Sequence, residues 1–338
     1  MFSNGATPTV DKYFLAALSG DVARFPFGAG VRDGRRRRPV QRLGPHLYAC
    51  GGSAVLIRHG TREELEILGS GRFDRGRCYF LIDDDLRALA EDPDVPADYR
   101  LRIRRRLMNE IPAILDMCAN VAGPSEQIIN AYPSHAGHLL EPCILRERRR
   151  FRHFRRSGRF RMIYAGTASH MADFGGIAPA LADFCAAHED VSLVTFLGKQ
   201  APEILKNRRN IRHFRPLRWP LFRRFMEHAS FHVALAPMRK TAVNRARSFN
   251  KFLDHAMMGA AGVYSAGACP QIDRVIEHGK SGLLVDGPAG RWLEMLEELY
   301  RDRSMTADLA VQGARAAGRA GSRRRVRDFW RRRLGIPD

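Results

Sequence analysis

Short apolar runs alternate with amphipathic stretches along most of the chain. Ala54-Val-Leu-Ile-Arg58 is short and greasy enough for a buried strand, and Thr61 with Glu64 opens the next stretch, to Leu68, as a capping-box helix. Cys78-Tyr-Phe-Leu-Ile82 is a second apolar run and stops at Asp83-Asp84-Asp85. Strand, helix and strand within about thirty residues predict a parallel βαβ unit. Residues 98–118 read as helix, 120–125 as a strand ending in a turn, and Ser125 as the cap of a helix over 126–131. Residues 141–160 break the rhythm and read as a linker. From Arg161-Met-Ile-Tyr-Ala165 it resumes, with strands at 161–165, 191–198, 211–214, 231–236, 262–265 and 282–285. Helices are predicted between them at 173–188, 221–229, 248–258 and 270–278, then at 289–301 and 304–320. The pattern predicts an α/β fold of two doubly wound, Rossmann-like domains joined near residue 155. Gly28, Gly30, Gly34 and the Arg35–Arg38 run read as an exposed loop.

Charge changes the picture more than composition does. The 338 residues carry 56 Lys plus Arg against 36 Asp plus Glu, a net charge of +20. Two windows, 141–162 and 319–338, supply thirteen of those charges, which suits polyanions, anionic lipid surfaces and phosphorylated substrates as partners. No apolar stretch reaches the ~20 residues of a membrane span, and the first thirty residues lack the order of a secretory signal. The six cysteines are scattered, which points away from a zinc site or disulfide framework and toward a reduced cytoplasm. Gly-x-Ser-x-Gly, His-Glu-x-x-His and P-loop patterns are absent, as is an isolated dinucleotide fingerprint.

The most informative segment is Asn244-Arg-Ala-Arg-Ser-Phe-Asn-Lys-Phe-Leu-Asp-His-Ala-Met-Met-Gly259. A helix starting near Ser248 offers free amides and a positive dipole end to a phosphate, with Arg247 and Lys251 adding charge. Lys251 and Asp254 share a face, which places a cation near a diphosphate and a carboxylate near a ribose diol. Ser248 as a plain N-cap and Lys251–Asp254 as a surface ion pair satisfy the same spacing.

Together with Tyr164-Ala-Gly-Thr-Ala-Ser-His-Met-Ala-Asp173 and Gly279-Lys-Ser-Gly-Leu-Leu-Val285, this segment resembles the C-terminal domain of GT-B glycosyltransferases of the glycosyltransferase 4-like (group 1) family. The likeness covers roughly residues 160–318. Leu81–Leu86 and Val121–Ser125 resemble segments of such transferases that make surface polysaccharides. The resemblance implies a GT-B architecture of two Rossmann-like domains facing across a cleft. Residues 1–155 are expected on the acceptor side, 156–318 around the nucleotide sugar, and 319–338 in a basic C-terminal helix. It also implies transfer of a sugar, with retention, from a nucleotide-sugar donor to a glycan or lipid-linked acceptor. That would take place in the cytoplasm or at the inner membrane surface, without a metal or other cofactor.

The family pattern has two acidic residues with seven residues between them; Asp254 matches the second, and Ala246 stands at the first, where Asn244 or Ser248 are the nearby substitutes. Gly166-Thr167 follows a strand and allows close approach to the diphosphate. His170 is placed to donate to a phosphate or sugar oxygen, with Asp173 orienting it, although Ser169 as a helix cap with an exposed His170 and Asp173 is the plainer alternative. The candidate catalytic residues are thus His170, Lys251 and Asp254. The candidate substrate-binding residues are Gly166, Thr167, Asp173, Asn244, Arg247 and Ser248.

Four further features carry readings of their own. Asp83-Asp84-Asp85 fits a Mg²⁺ or Mn²⁺ site less well than helix-start capping. His135 and His138 fall on a predicted loop and read as solvated. The segment Arg148–Arg156, with Phe151 and Phe154 interleaved, fits nucleic acid, anionic lipid or a solvated linker. Phe329 and Trp330 can anchor the last helix on the first domain or at a bilayer surface. A degenerate relative that binds nucleic acid or another polyanion through these Arg blocks is the alternative to the enzyme.

Overall fold

A computed structural model describes residues 7–22, 39–155, 158–166 and 170–337. Its strands form two six-stranded sheets, one in each of two units of the chain. The first unit gathers the chain up to Glu91, Ala97–Leu145 and the stretch from Ser322 onward; the second holds Asp92–Pro96 and Arg146–Gly321. The division therefore precedes the expected boundary near residue 155, and the basic C-terminal helix belongs to the first unit.

In the first unit the sheet order is β1 (Gln41–Arg42), β2 (Leu47–Cys50), β3 (Ser53–Ile57), β4 (Cys78–Leu81), β5 (Asn120–Gly123) and β6 (Ala136–Leu139). β3 to β6 are parallel, and β1, β2 and β3 pair antiparallel. β2 to β5 are buried at every position, as strands covered on both faces must be, and that is why most of them read as apolar runs. The predicted capping box is present: Thr61 Oγ1 accepts from the Glu64 amide at 3.2 Å, and Glu64 Oε2 accepts from the Thr61 amide at 2.8 Å.

Two expectations fail here. The helix over 98–118 is two helices, Ala97–Asn109 and Ile111–Met117, because Pro112 has no amide hydrogen to continue the first. The loop expected around His135 and His138 contains β6, an edge strand with little apolar content. His138 Nε2 lies 2.9 Å from Asn120 Oδ1, and His135 Nε2 3.0 Å from the Leu115 carbonyl.

The helix Arg323–Leu334 turns Val326, Phe329, Trp330 and Leu334 into the first unit. Trp330 is fully buried, donates its indole N–H to the Tyr13 carbonyl at 2.6 Å, and meets Phe14 and Tyr79 edge-on. Of the two expected placements for this helix, the structure takes the one on the first domain. All six cysteines are buried free thiols.

The second sheet is parallel throughout, in the order β12 (Leu283–Val285), β11 (Ala261–Ser265), β10 (Val233–Ala236), β7 (Phe160–Tyr164), β8 (Val191–Thr195) and β9 (Ile211–His213). Counted from the first strand of the unit, this is the Rossmann order 3-2-1-4-5-6. The helix expected over 173–188 is interrupted at Gly175-Gly176 and becomes Met171–Gly175 and Ala178–Ala187.

The Arg-dense stretch expected as a linker is pinned to this unit. Arg148 donates to the Ala229 carbonyl at 3.1 Å and to the Ser230 hydroxyl, and His153 Nε2 lies 3.0 Å from the Phe231 carbonyl. Phe151 and Phe154 pack against the core. The pinned segment lies against Gly259, whose φ of +67° turns the chain after the helix Asn250–Met257 and where a Cβ would touch Arg148 and His153.

Candidate functional site

In a doubly wound sheet the strand order reverses at one place, and ligands gather beyond the C-terminal strand ends there. In the second unit that place lies between β7 and β10. Ala165-Gly166 leave β7 and Pro237–Lys240 leave β10 side by side. Met171–Gly175 brings Asp173 to this corner, Ala242–Arg245 brings Asn244, and the first turn of Asn250–Met257 brings Lys251.

Asp173 is the hub. Its Oδ1 accepts from the Arg239 amide and from the Asn244 side-chain amide, both at 3.0 Å, while its Oδ2 faces His170 Nδ1 at 3.3 Å. Burial alone pushes this carboxyl up, but the hydrogen bonds from His170, Arg239 and Asn244 outweigh it and hold the group below its usual range. Burial likewise drives His170 down to about 4, helped by the charges of Arg247 and Lys251 and opposed by Asp173. The ring is therefore neutral near pH 7. With its Nδ1 proton directed at Asp173, Nε2 is left with a lone pair, so His170 is set to accept from a hydroxyl rather than to donate to a phosphate.

Lys251 Nζ donates to the Ala165 carbonyl, which fixes its charge at the Gly166 turn. Arg247 Nε is buried and finds no hydrogen-bond partner among the described residues. Asp254 lies one turn beyond Lys251, is buried, and acts on the Tyr264 hydroxyl through its charge.

Other expected site residues have structural duties. Gly166 lies against the Tyr164 ring, where a Cβ would collide, so the glycine is required by packing whatever binds nearby. Asn244 spends both amide hydrogens, on Asp173 and on the Arg239 carbonyl at 3.0 Å. The helix expected from Ser248 begins at Asn250 with Phe249 as its N-cap, so Ser248 is buried ahead of the helix and caps nothing. Ala246 is buried at 1% exposure, and the position that carries an acid in the family pattern faces the interior here. Thr167 and Ser169 lie outside the described residues.

By sequence, the chain matches no family model and no curated protein. By structure it is similar to HepE of Anabaena in complex with UDP-glucose, at 12% identity and a TM-score of 0.56 over 84% of this chain and 79% of that one. It is also similar to TarM, at 10% identity and a TM-score of 0.58 over 83% of this chain and 54% of that one. A third likeness is to the α,α-trehalose 6-phosphate synthase of Burkholderia multivorans, at 11% identity and a TM-score of 0.52 over 83% and 71%. All three are GT-B structures.

The fold is GT-B.

Within this GT-B chain Arg239 is the residue that sequence reading missed. Its backbone amide holds Asp173 Oδ1, its Nε lies 3.5 Å from the same oxygen, and its Nη1 reaches Asp94 at 2.7 Å. The available signal was position: Arg239 stands just past the C-terminal end of a central strand, where sites of parallel sheets collect.

The acidic triplet belongs to the other GT-B unit, and its carboxylates are engaged by protein. Arg58 at the end of β3, with φ +67°, lies 3.5 Å from Asp83 and 2.8 Å from Asp84. Thr9 donates to Asp83 at 2.6 Å, and Asp85 accepts from the Arg87 and Ala88 amides at the start of the next helix. Burial raises the Asp83 carboxyl against the pull of Arg58.

Proposed function

We propose that this chain is a glycosyltransferase that moves a sugar from a nucleotide-sugar donor to a glycan or lipid-linked acceptor. The reading includes retention of configuration and a place at the cytoplasmic face of an anionic membrane. The observation that carries it is the convergence of Lys251, Arg247 and the Asp173–His170 pair at the strand-order reversal of the second sheet. HepE, crystallised with UDP-glucose, supports the donor class. Among the described residues no helix is long and apolar enough to cross a membrane.

Sugar transfer from such a donor requires a departing nucleoside diphosphate and an oxocarbenium-like sugar to be stabilised. Fixed cations in a preorganised corner do this without a proton relay. Lys251 and Arg247 take the diphosphate, Asp254 the ribose diol, and His170 Nε2 a sugar hydroxyl, while Asp173 and Asn244 hold the arrangement rigid. Calorimetric titration with UDP-, GDP- and ADP-sugars tests the assignment. One of them binds the wild type, and Lys251→Ala weakens it by about tenfold or more, as expected for a charge-assisted hydrogen bond. Failure of every sugar nucleotide to bind, or an unchanged Lys251→Ala, removes this reading.

A second reading has its own observation. An open groove of about 920 Å³ in the second unit is lined by Arg148, Arg149, Arg150, Arg152, Arg315 and Arg319, among others. A degenerate relative binding nucleic acid there would lose affinity steeply with salt and bind no donor, and the two titrations separate the cases.

A further inference from the structure

Three of the stretches that crowd arginine together with bulky apolar residues differ in where the apolar side chains go. Phe151 and Phe154 of the first pack on the second unit's core. Phe329 and Trp330 of the last are buried in the first unit. Between them, over residues 204–224, the arrangement is inverted: Phe214, Leu217 and Leu221 are 47%, 40% and 52% exposed.

These three fall within eight residues of chain that follow the edge strand of the second unit's sheet. Phe214 follows the edge strand β9, Leu217 precedes Arg218, the N-cap of the helix Trp219–His228, and Leu221 lies in that helix's first turn. The inner side of that helix is already occupied, since Phe222 and Phe225 meet Phe196 at ring separations of 5.3 and 5.1 Å. Arg215, Arg218 and Arg224 are exposed around the apolar trio, and no carboxylate lies within ion-pair distance of them among the described residues. Residues 204–224 contain eight Lys plus Arg and no Asp or Glu.

Such a surface gains free energy where apolar side chains reach an acyl boundary and guanidinium groups meet lipid phosphates. A second copy of this chain would set arginine against arginine, which argues against self-association through this face. We propose that the Phe214–Arg224 surface docks the second unit onto an anionic lipid bilayer. The proposal rests on the membrane part of the function above and not on the donor chemistry.

Sedimentation with vesicles of phosphatidylcholine, with and without phosphatidylglycerol, tests it. Trp219 supplies an optical signal, because Trp292 and Trp330 are buried and Trp219 is half-buried beside the patch. The full-length protein binds only the anionic vesicles, and the Trp219 emission shifts to the blue. Leu217→Ser with Leu221→Ser weakens binding by about tenfold or more. Arg215→Ala, Arg218→Ala and Arg224→Ala each weaken it by about fivefold. All these variants keep the wild-type melting temperature and sugar-nucleotide affinity, so failure of docking and failure of the donor reading are told apart.

The proposal is overturned if the wild type ignores anionic vesicles, or if the leucine variants bind them as the wild type does. It is equally overturned if the leucine variants instead dissociate a dimer or release an acidic protein while vesicle binding is unaffected. Loss of vesicle binding on replacing Arg149, Arg150 and Arg152 alone moves the docking surface to the groove and also overturns it.

Discussion

Three donors converge on the Asp173 carboxylate: the Arg239 amide, the Asn244 side-chain amide and the His170 ring. Asp173→Ala leaves buried donors without acceptors and should cost about 2–5 kcal/mol of stability, read from urea unfolding. Asp173→Asn is the sharper variant. It keeps one acceptor oxygen but turns a donor toward His170 Nδ1, so the neutral ring moves its proton to Nε2, and nitrogen-15 shifts of the imidazole report the exchange. Gly166→Ala drives a methyl into the Tyr164 ring and should destabilise the protein by about 1–3 kcal/mol, again by urea unfolding, even with no donor present. Part of this corner was legible in advance. Gly166, His170, Asp173 and Lys251 stand out because a glycine after a strand and charged groups in first turns are local patterns. Arg239 was hidden because nothing in Met238-Arg239-Lys240 is periodic; its role comes from a backbone amide that only the folded sheet aims at Asp173.

Elements were legible where burial imposes a pattern. β3, β4, β7, β10 and β11 read as apolar runs because parallel strands covered on both faces have no polar side. β6 escaped because three of its four residues are exposed, and its pairing with β5 rests on backbone hydrogen bonds that any sequence supplies. The start of the helix Asn250–Met257 was misplaced because Ser248 looks like a cap, whereas tertiary packing buries it and leaves Phe249 at the cap position. The helix Arg323–Leu334 shows the same competition between charge and packing. Its arginines suggest a polyanion, yet its apolar stripe completes a core, so Trp330→Ala should cost about 3–5 kcal/mol in the unfolding of the first unit. A variant unfolding like the wild type would mean that the stripe is not packed as described.

Four histidines spread across the molecule share a bias. Burial lowers His59 to about 3 and His153, His170 and His232 to about 4, from an ordinary 6.5. Between those values the unfolded chain binds protons that the folded chain refuses, so stability falls as pH drops below about 6.5, and each group contributes up to about 1.4 kcal/mol per pH unit. Calorimetric melting should therefore show Tm falling between about pH 7 and pH 5; a flat profile would mean that these rings are hydrated in solution. The net charge of +20 acts in the same direction, since each added proton raises self-repulsion in the compact state.

Chain order adds a consequence of its own. The apolar cluster of the first unit joins Val10, Tyr13 and Phe14 to Val326, Phe329 and Trp330, while every strand of the second sheet lies between them. On the ribosome, the later sheet is complete before the earlier one can be sealed. The nascent chain thus carries an uncovered apolar face of the first unit until the helix Arg323–Leu334 has left the exit tunnel.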